Sequence, residues 1–277
     1  MTSWRNVLAL PLLAVAIAAA GGPPPPAASF DRTFTLSGGR VIALRCSGRG
    51  KFTILLEPGD GGRRDHMAGL FTTLSKRYLV CDYDRRNIGR SSAASVPRKA
   101  ADFRADLFDA LARAGVNGPY ILFGTSMGGL LVRSYAGSHA VAGFVTSNQP
   151  GTAREWTRFA DPVMSPAQRA ADAAWMAGEN NEHIDVHDVS RTIDDAPPPP
   201  MPHVIMISTE RFQCKAAGIC GRLYRAFVAT SEIAARAGRR GRLQIVDGDH
   251  DLYVTNLKEV VSAIDSVASA AAAQARR

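Results

Sequence analysis

The sequence predicts an α/β fold built on one mostly parallel, eight-stranded sheet with helices on both faces. Two observations carry that expectation. Eight short apolar runs have the length and composition of strands, and the later ones are separated by amphipathic stretches of helical period. Strand followed by helix, repeated, implies a parallel sheet covered on both sides. The composition agrees, because 46% hydrophobic residues can supply a sizeable core and 21% charged residues fall short of the signature of disorder.

Before the first strand, Met1 to Ala20 has one positive charge at Arg5, then an apolar run from Val7 that ends in Ala18-Ala19-Ala20. This pattern is that of a secretory signal peptide and is short for a membrane span. Cleavage is expected after Ala20, with Ala27-Ala28-Ser29 as a second site. Gly21-Gly22 and four prolines, Pro23 to Pro26, form a stiff extended spacer over 21–29, so a single folded domain is expected over 30–277.

The strands are read at Thr33 to Leu36, Arg40 to Cys46, Phe52 to Leu56, Tyr78 to Tyr83, Tyr120 to Phe123, Gly143 to Ser147, Val204 to Ser208 and Leu243 to Val246. Helical patterns lie at Asp65 to Ser75, Ala101 to Ala114, Met127 to Ala136, Leu223 to Ala237 and Asn256 to Ala273. The second is the clearest, with Phe103, Leu107, Phe108 and Leu111 recurring at intervals of three and four. The alternation breaks from Pro150 to Pro202, where only Pro166 to Met176 reads as helix. An insertion of about fifty residues fits there, and its mixture of Trp156, Phe159, Met164, Trp175 and Met176 with charged residues suits a lid over a pocket.

The net charge is +8, but the arginines are scattered as pairs such as Arg63-Arg64, Arg85-Arg86 and Arg239-Arg240 rather than gathered in a stripe, which argues against nucleic acid as a partner. After signal cleavage no stable membrane insertion is expected. Export to an oxidising compartment lets the four cysteines pair. Of the three connectivities, the six-position spacing makes Cys214 and Cys220 natural partners and leaves Cys46 with Cys81; four buried free thiols are the competing reading. No C-x-x-C pair points to a metal.

The residues that carry chemistry begin with Gly124-Thr125-Ser126-Met127-Gly128, which follows a strand and opens an apolar helix. A serine hydroxyl is a poor nucleophile unless held on a tight turn near a base and facing backbone N–H groups. Glycines at 124 and 128 allow strand and helix to approach around Ser126. Among the histidines, His66, His139 and His203 read as surface or core residues. His183 and His187, four apart beside Glu182, Asp185 and Asp188, invite a metal reading, but a solvated polar loop is the preferred one.

At this point the chain resembles the α/β-hydrolase superfamily, from about Phe34 to Ala268. Asp82-Tyr83-Asp84-Arg85-Arg86-Asn87-Ile88-Gly89-Arg90-Ser91 is similar to the strand-four turn D-x-R-G-x-G-x-S, with Asn87 where glycine is usual. Ile54 to Gly62 is similar to the loop after strand three, with Glu57-Pro58 on the side where histidine is usual. The resemblance implies an oxyanion site made by the N–H groups of Met127 and Asp60, with Gly61 as the fallback donor. Asp247-Gly248-Asp249-His250-Asp251 is similar to the terminal G-x-H loop and makes His250 the base. The place after strand seven falls on Glu210 as the acid that orients it; pairing of Glu210 with Arg211 is the competing reading, Asn148 after strand six has no charge to offer, and Asp249 and Asp251 lie close to His250 in sequence. The resemblance also puts strand two beside strand four and so supports Cys46 with Cys81.

The expected function is that of a secreted serine hydrolase, foremost a carboxylic-ester hydrolase working through an acyl-enzyme on a small ester or acyl substrate, with no metal or organic cofactor. A peptidase, a thioesterase or an acyltransferase would use the same residues, and a non-catalytic binding protein of this fold is the reading from another class. Nothing in the sequence specifies an oligomeric state.

Overall fold

Alternation of side chains along each strand decides how this chain folds. In the computed structural model, which describes residues 29–138, 140–210 and 217–276 with side chains described from 220 onward in the last stretch, eight strands form one sheet. They are β1 (Phe30–Thr35), β2 (Val41–Ser47), β3 (Thr53–Glu57), β4 (Leu79–Asp84), β5 (Tyr120–Thr125), β6 (Val141–Ser147), β7 (His203–Ser208) and β8 (Gly241–Val246). Their order is β1-β2-β4-β3-β5-β6-β7-β8, with β2 antiparallel to both β1 and β4 and the remaining pairs parallel. All eight predicted strands are present, with no end shifted by more than three residues.

Successive residues of a strand face opposite sides. Leu55, Leu122 and Ile205 therefore join one apolar cluster, while Ile54, Leu56, Ile121, Phe123, Val204 and Met206 join another. The first is covered by α2 (Ala100–Arg113) and α3 (Met127–Tyr135) through Phe103, Leu107, Leu130 and Tyr135. The second is covered by α1 (Ala68–Leu74) and, near the C-terminus, by the long helix Leu257–Gln274, through Leu70, Leu74, Val260 and Ile264. Among the described residues no helix is long and apolar enough to cross a membrane.

Between β6 and β7 the chain forms three helices rather than the single one expected: α4 (Ala153–Phe159), α5 (Pro166–Met176) and α6 (Val186–Asp194). Each starts at a polar cap. Thr152 and Glu155 exchange hydrogen bonds of 3.3 and 2.8 Å at the start of α4, Ser165 and Gln168 do the same for α5, and Asp185 accepts from the Asp188 N–H ahead of α6. The remaining helices are α7 (Ala217–Arg236), α8 (Leu252–Thr255) and α9, the C-terminal helix already described.

Cys46 of β2 lies directly opposite Cys81 of β4, and the two form a disulfide with Cα atoms 4.1 Å apart. The expected pairing is thus present. Cys220 is disulfide-bonded too, and Cys214, its expected partner, lies outside the described residues, as do the stretch read as a signal peptide and most of the expected spacer. Because the Cys46–Cys81 bridge spans 35 positions, the chain-entropy argument gives it roughly 3 to 4 kcal/mol. A Cys46→Ala/Cys81→Ala double variant is expected to unfold in urea with that loss; a loss under about 1 kcal/mol would mean that strand pairing alone holds β2 to β4.

A buried carboxylate adjoins that bridge. Asp82, beside Cys81, pairs with Arg45 on β2, whose guanidinium also lies 4.2 Å from the centre of the Phe71 ring. Burial pushes the Asp82 carboxyl up to about 6, against the lowering effect of Arg45.

Candidate active site

The turn from β5 into α3 is closely packed. Ser126 has φ 51° and ψ −125°, a conformation an L-residue adopts only under constraint, and it is partly exposed while its neighbours on both sides are buried. The constraint is visible. The Ser126 N–H donates to the Ser147 carbonyl at 2.8 Å, and the Ser126 carbonyl accepts from the Gly129 N–H at 2.9 Å. A Cβ at Gly124 would overlap the Gly128 carbonyl, and one at Gly128 would overlap the carbonyls of Glu57 and Pro58. Both glycines of the predicted motif are required by close backbone approach.

The loop after β3 passes directly over this turn. A Cβ at Gly59 would sit 3.3 Å from the Ser126 Cβ and 3.8 Å from its Oγ. The fallback donor named from the sequence is engaged, because the Gly61 N–H donates to Glu182 Oε1 at 2.8 Å. The Gly62 N–H donates to the Gly59 carbonyl at 3.0 Å, whereas the Asp60 N–H has no partner among the described residues. Met127 occupies the first position of α3, where the N–H groups of a helix have no intrahelical acceptor. The Asp60 carboxylate turns toward the β6–β7 segment, accepting from Asn181 Nδ2 at 3.2 Å and Trp175 Nε1 at 3.4 Å. Burial, reinforced by the nearby Glu182 charge, pushes its pKa up.

His250 follows β8 and is partly buried. Its loop is tied to the ends of β6 and β7 by Asn148, a residue with φ 50° and no exposure. Asn148 Nδ2 donates to the carbonyls of His250 at 2.8 Å and Asp249 at 3.2 Å, while its Oδ1 accepts from the Ser208 N–H at 2.9 Å and the Ser208 hydroxyl at 3.1 Å. Ser147 holds the Ser126 turn and Asn148, next in the chain, holds the His250 loop, so both loops are fixed to one rim of the sheet.

Glu210 lies just past β7, with its N–H donating to the Gly248 carbonyl at 3.0 Å. Its main chain is therefore beside the His250 loop. Its carboxylate is exposed and makes no hydrogen bond among the described residues. Asp249 Oδ1 accepts from the Asp251 N–H and the Thr255 hydroxyl.

The polar run from Glu179 to Asp188 is solvated only in part: His183 and His187 are exposed, but Glu182 is not. Glu182 is fully buried and paired with Arg85, which donates from Nε to Glu182 Oε2 at 2.7 Å and from Nη1 to Glu57 Oε1 at 2.6 Å. Burial works against the Arg85 cation, but the two carboxylates, Glu182 foremost, outweigh it and hold the guanidinium protonated. Glu57 is pushed up by burial and pulled back by Arg85, and it accepts from the Tyr83 hydroxyl at 2.7 Å. Among the described residues no three His, Cys, Asp or Glu side chains form a group able to hold a metal, His183 and His187 included. His203 stacks on Phe144 at 4.7 Å in the core, His66 is exposed, and His139 lies outside the described residues.

Comparison with known proteins identifies the fold. The family described as alpha/beta hydrolase fold matches residues 53–175, which span the β3 loop, the β4 turn and the Ser126 turn. The chain has the alpha/beta hydrolase fold. An enol-lactonase from Burkholderia xenovorans LB400 is 18% identical with a TM-score of 0.59, covering 86% of this chain and 100% of that one. A thermophilic esterase from Thermogutta terrifontis, at 17% identity and a TM-score of 0.60, covers 86% and 97%. The esterase RhEst1 from Rhodococcus sp. ECU1013 is 19% identical with a TM-score of 0.59, covering 86% and 99%. A sequence search of curated proteins finds no match. Within this alpha/beta hydrolase fold, sequence reasoning missed Glu182, Glu57 and Asn148 as parts of the site's framework; the one signal was Glu57-Pro58 standing where the fold's loop usually has histidine.

Proposed function

We propose that this chain is an exported serine hydrolase that cleaves carboxylic esters through an acyl-enzyme. The observation that carries the reading is the strained, partly exposed Ser126 on an otherwise buried strand-turn-helix. In this scheme His250 takes the proton of the Ser126 hydroxyl as Oγ attacks the ester carbonyl. The N–H groups of Met127 and Asp60 receive the oxyanion. His250 then protonates the departing alcohol, and water, activated by the same ring, hydrolyses the acyl-enzyme. Glu210 turns its carboxylate to the ring and supports the imidazolium, and the β6–β7 segment forms the lid over the pocket. Similar structures named as esterases and an enol-lactonase favour an ester over other acyl compounds.

The test is labelling with a fluorophosphonate, in which the Ser126 oxygen displaces fluoride from phosphorus, followed by peptide mapping and an acyl-length series of nitrophenyl esters. One label per chain on Ser126 and hydrolysis at some acyl length are expected. Labelling elsewhere, or none with no hydrolysis across the series, would overturn the reading.

A further inference from the structure

We propose that Arg85 and Glu182 are positioning residues for the oxyanion site, fixing the orientation of the peptide bonds between Gly59 and Gly61; this rests on the serine hydrolase reading above.

Arg85 stands immediately after β4 and is 1% exposed. Besides its carboxylate partners it donates from Nη1 to the Pro58 carbonyl at 2.7 Å and from Nη2 to the Gly59 carbonyl. In a trans peptide the carbonyl and the following N–H point in opposite directions. Holding the Gly59 oxygen against the guanidinium therefore turns the Asp60 N–H away from it. The next peptide is fixed from the other end, since Glu182 accepts the Gly61 N–H while also accepting from Arg85 Nε and Nη2. The Gly62 N–H is spent on the Gly59 carbonyl, and Gly61 has φ 68°, as this turn requires. Of three consecutive N–H groups, two are consumed and the one assigned to the oxyanion is left.

The arrangement is costly if its only purpose is cohesion. Glu57, Arg85 and Glu182 are 2%, 1% and 0% exposed, and buried ion pairs frequently contribute less stability than apolar packing of the same volume. A bidentate fork reaching two carboxylates and two carbonyls gives direction, which lysine cannot reproduce. Arg98 extends the network, donating from Nη2 to the Glu182 carbonyl at 3.2 Å, and packs on Phe103 with 3.9 Å to the ring centre. Glu182 is thereby held from two sides.

The test compares wild type with Arg85→Lys on a nitrophenyl ester and with a trifluoromethyl ketone, whose carbonyl carbon bonds reversibly to Ser126 Oγ, the hydroxyl proton passing to His250. Removing one oxyanion donor costs 10²- to 10³-fold in kcat; misorienting one is expected to lower kcat about 10- to 100-fold. KM should change less than about twofold, the ketone should bind more weakly in proportion to kcat/KM, and the final extent of fluorophosphonate labelling should stay at one per chain. A purely structural role would lower the melting temperature and leave kcat of the folded protein and ketone affinity unchanged, which would overturn the proposal. If Arg85→Lys does not fold, the isosteric Glu182→Gln is measured in its place with the same criteria. Wild type that neither labels on Ser126 nor turns over would remove the hydrolase reading itself and this proposal with it; labelled, active wild type with fully active variants would remove only this one.

Discussion

Replacing Ser126 by alanine is expected to abolish turnover and covalent labelling while the fold persists. Loss of the nucleophile in a serine hydrolase costs on the order of a millionfold in rate. The fold should persist because nothing that shapes the turn depends on the hydroxyl. The main-chain bonds to Ser147 and Gly129 remain, the close approaches at Gly124 and Gly128 are unaffected, and alanine meets the same positive-φ constraint as serine. Turnover, fluorophosphonate labelling and a melting curve on the purified variant check this together. A variant that still labels would move the nucleophile elsewhere.

Glu210→Gln is expected to lower kcat by about four orders of magnitude if the carboxylate supports the His250 imidazolium, as an amide in that role favours the wrong tautomer. Melting temperature should change little, because the side chain is exposed and the bond that places Glu210 comes from its main-chain N–H to Gly248. The two readouts separate catalysis from folding. A variant with near-normal kcat would transfer the role, with Asp249 next to be substituted.

The sheet was legible because it is encoded locally. Apolar runs such as Ile54-Leu55-Leu56 and Ile121-Leu122-Phe123 feed both faces at once, which marks a strand buried on each side. The tight turn at Ser126 was legible for a similar reason, since Gly124 and Gly128, which its close approaches require, lie within two residues. The helices α4 and α6 were not read, although Thr152-Ala153-Arg154-Glu155 is a capping-box pattern; α4 is only seven residues long, too short for periodicity to speak. Glu182 was misread because its partner Arg85 is 97 positions away, and a carboxylate amid polar neighbours looks solvated until the guanidinium that buries it is known. Asn148 was weighed only as a missing charge. Its actual task, joining β7 to the histidine loop, depends on neighbours 60 and 102 positions distant.

The anchoring of Trp175, Asn181 and Glu182 to the β3 loop makes the β6–β7 segment unequal as a target for chimeragenesis. Transplanting it whole from another protein would strip Arg85 of one counter-carboxylate and release the Gly61 amide in a single cut. Shuffling confined to the first half, through α4 to the start of α5, would leave those anchors in place. The ties to the β3 loop thus lie in the rear half of the segment, and recombination meant to spare that loop belongs in the front.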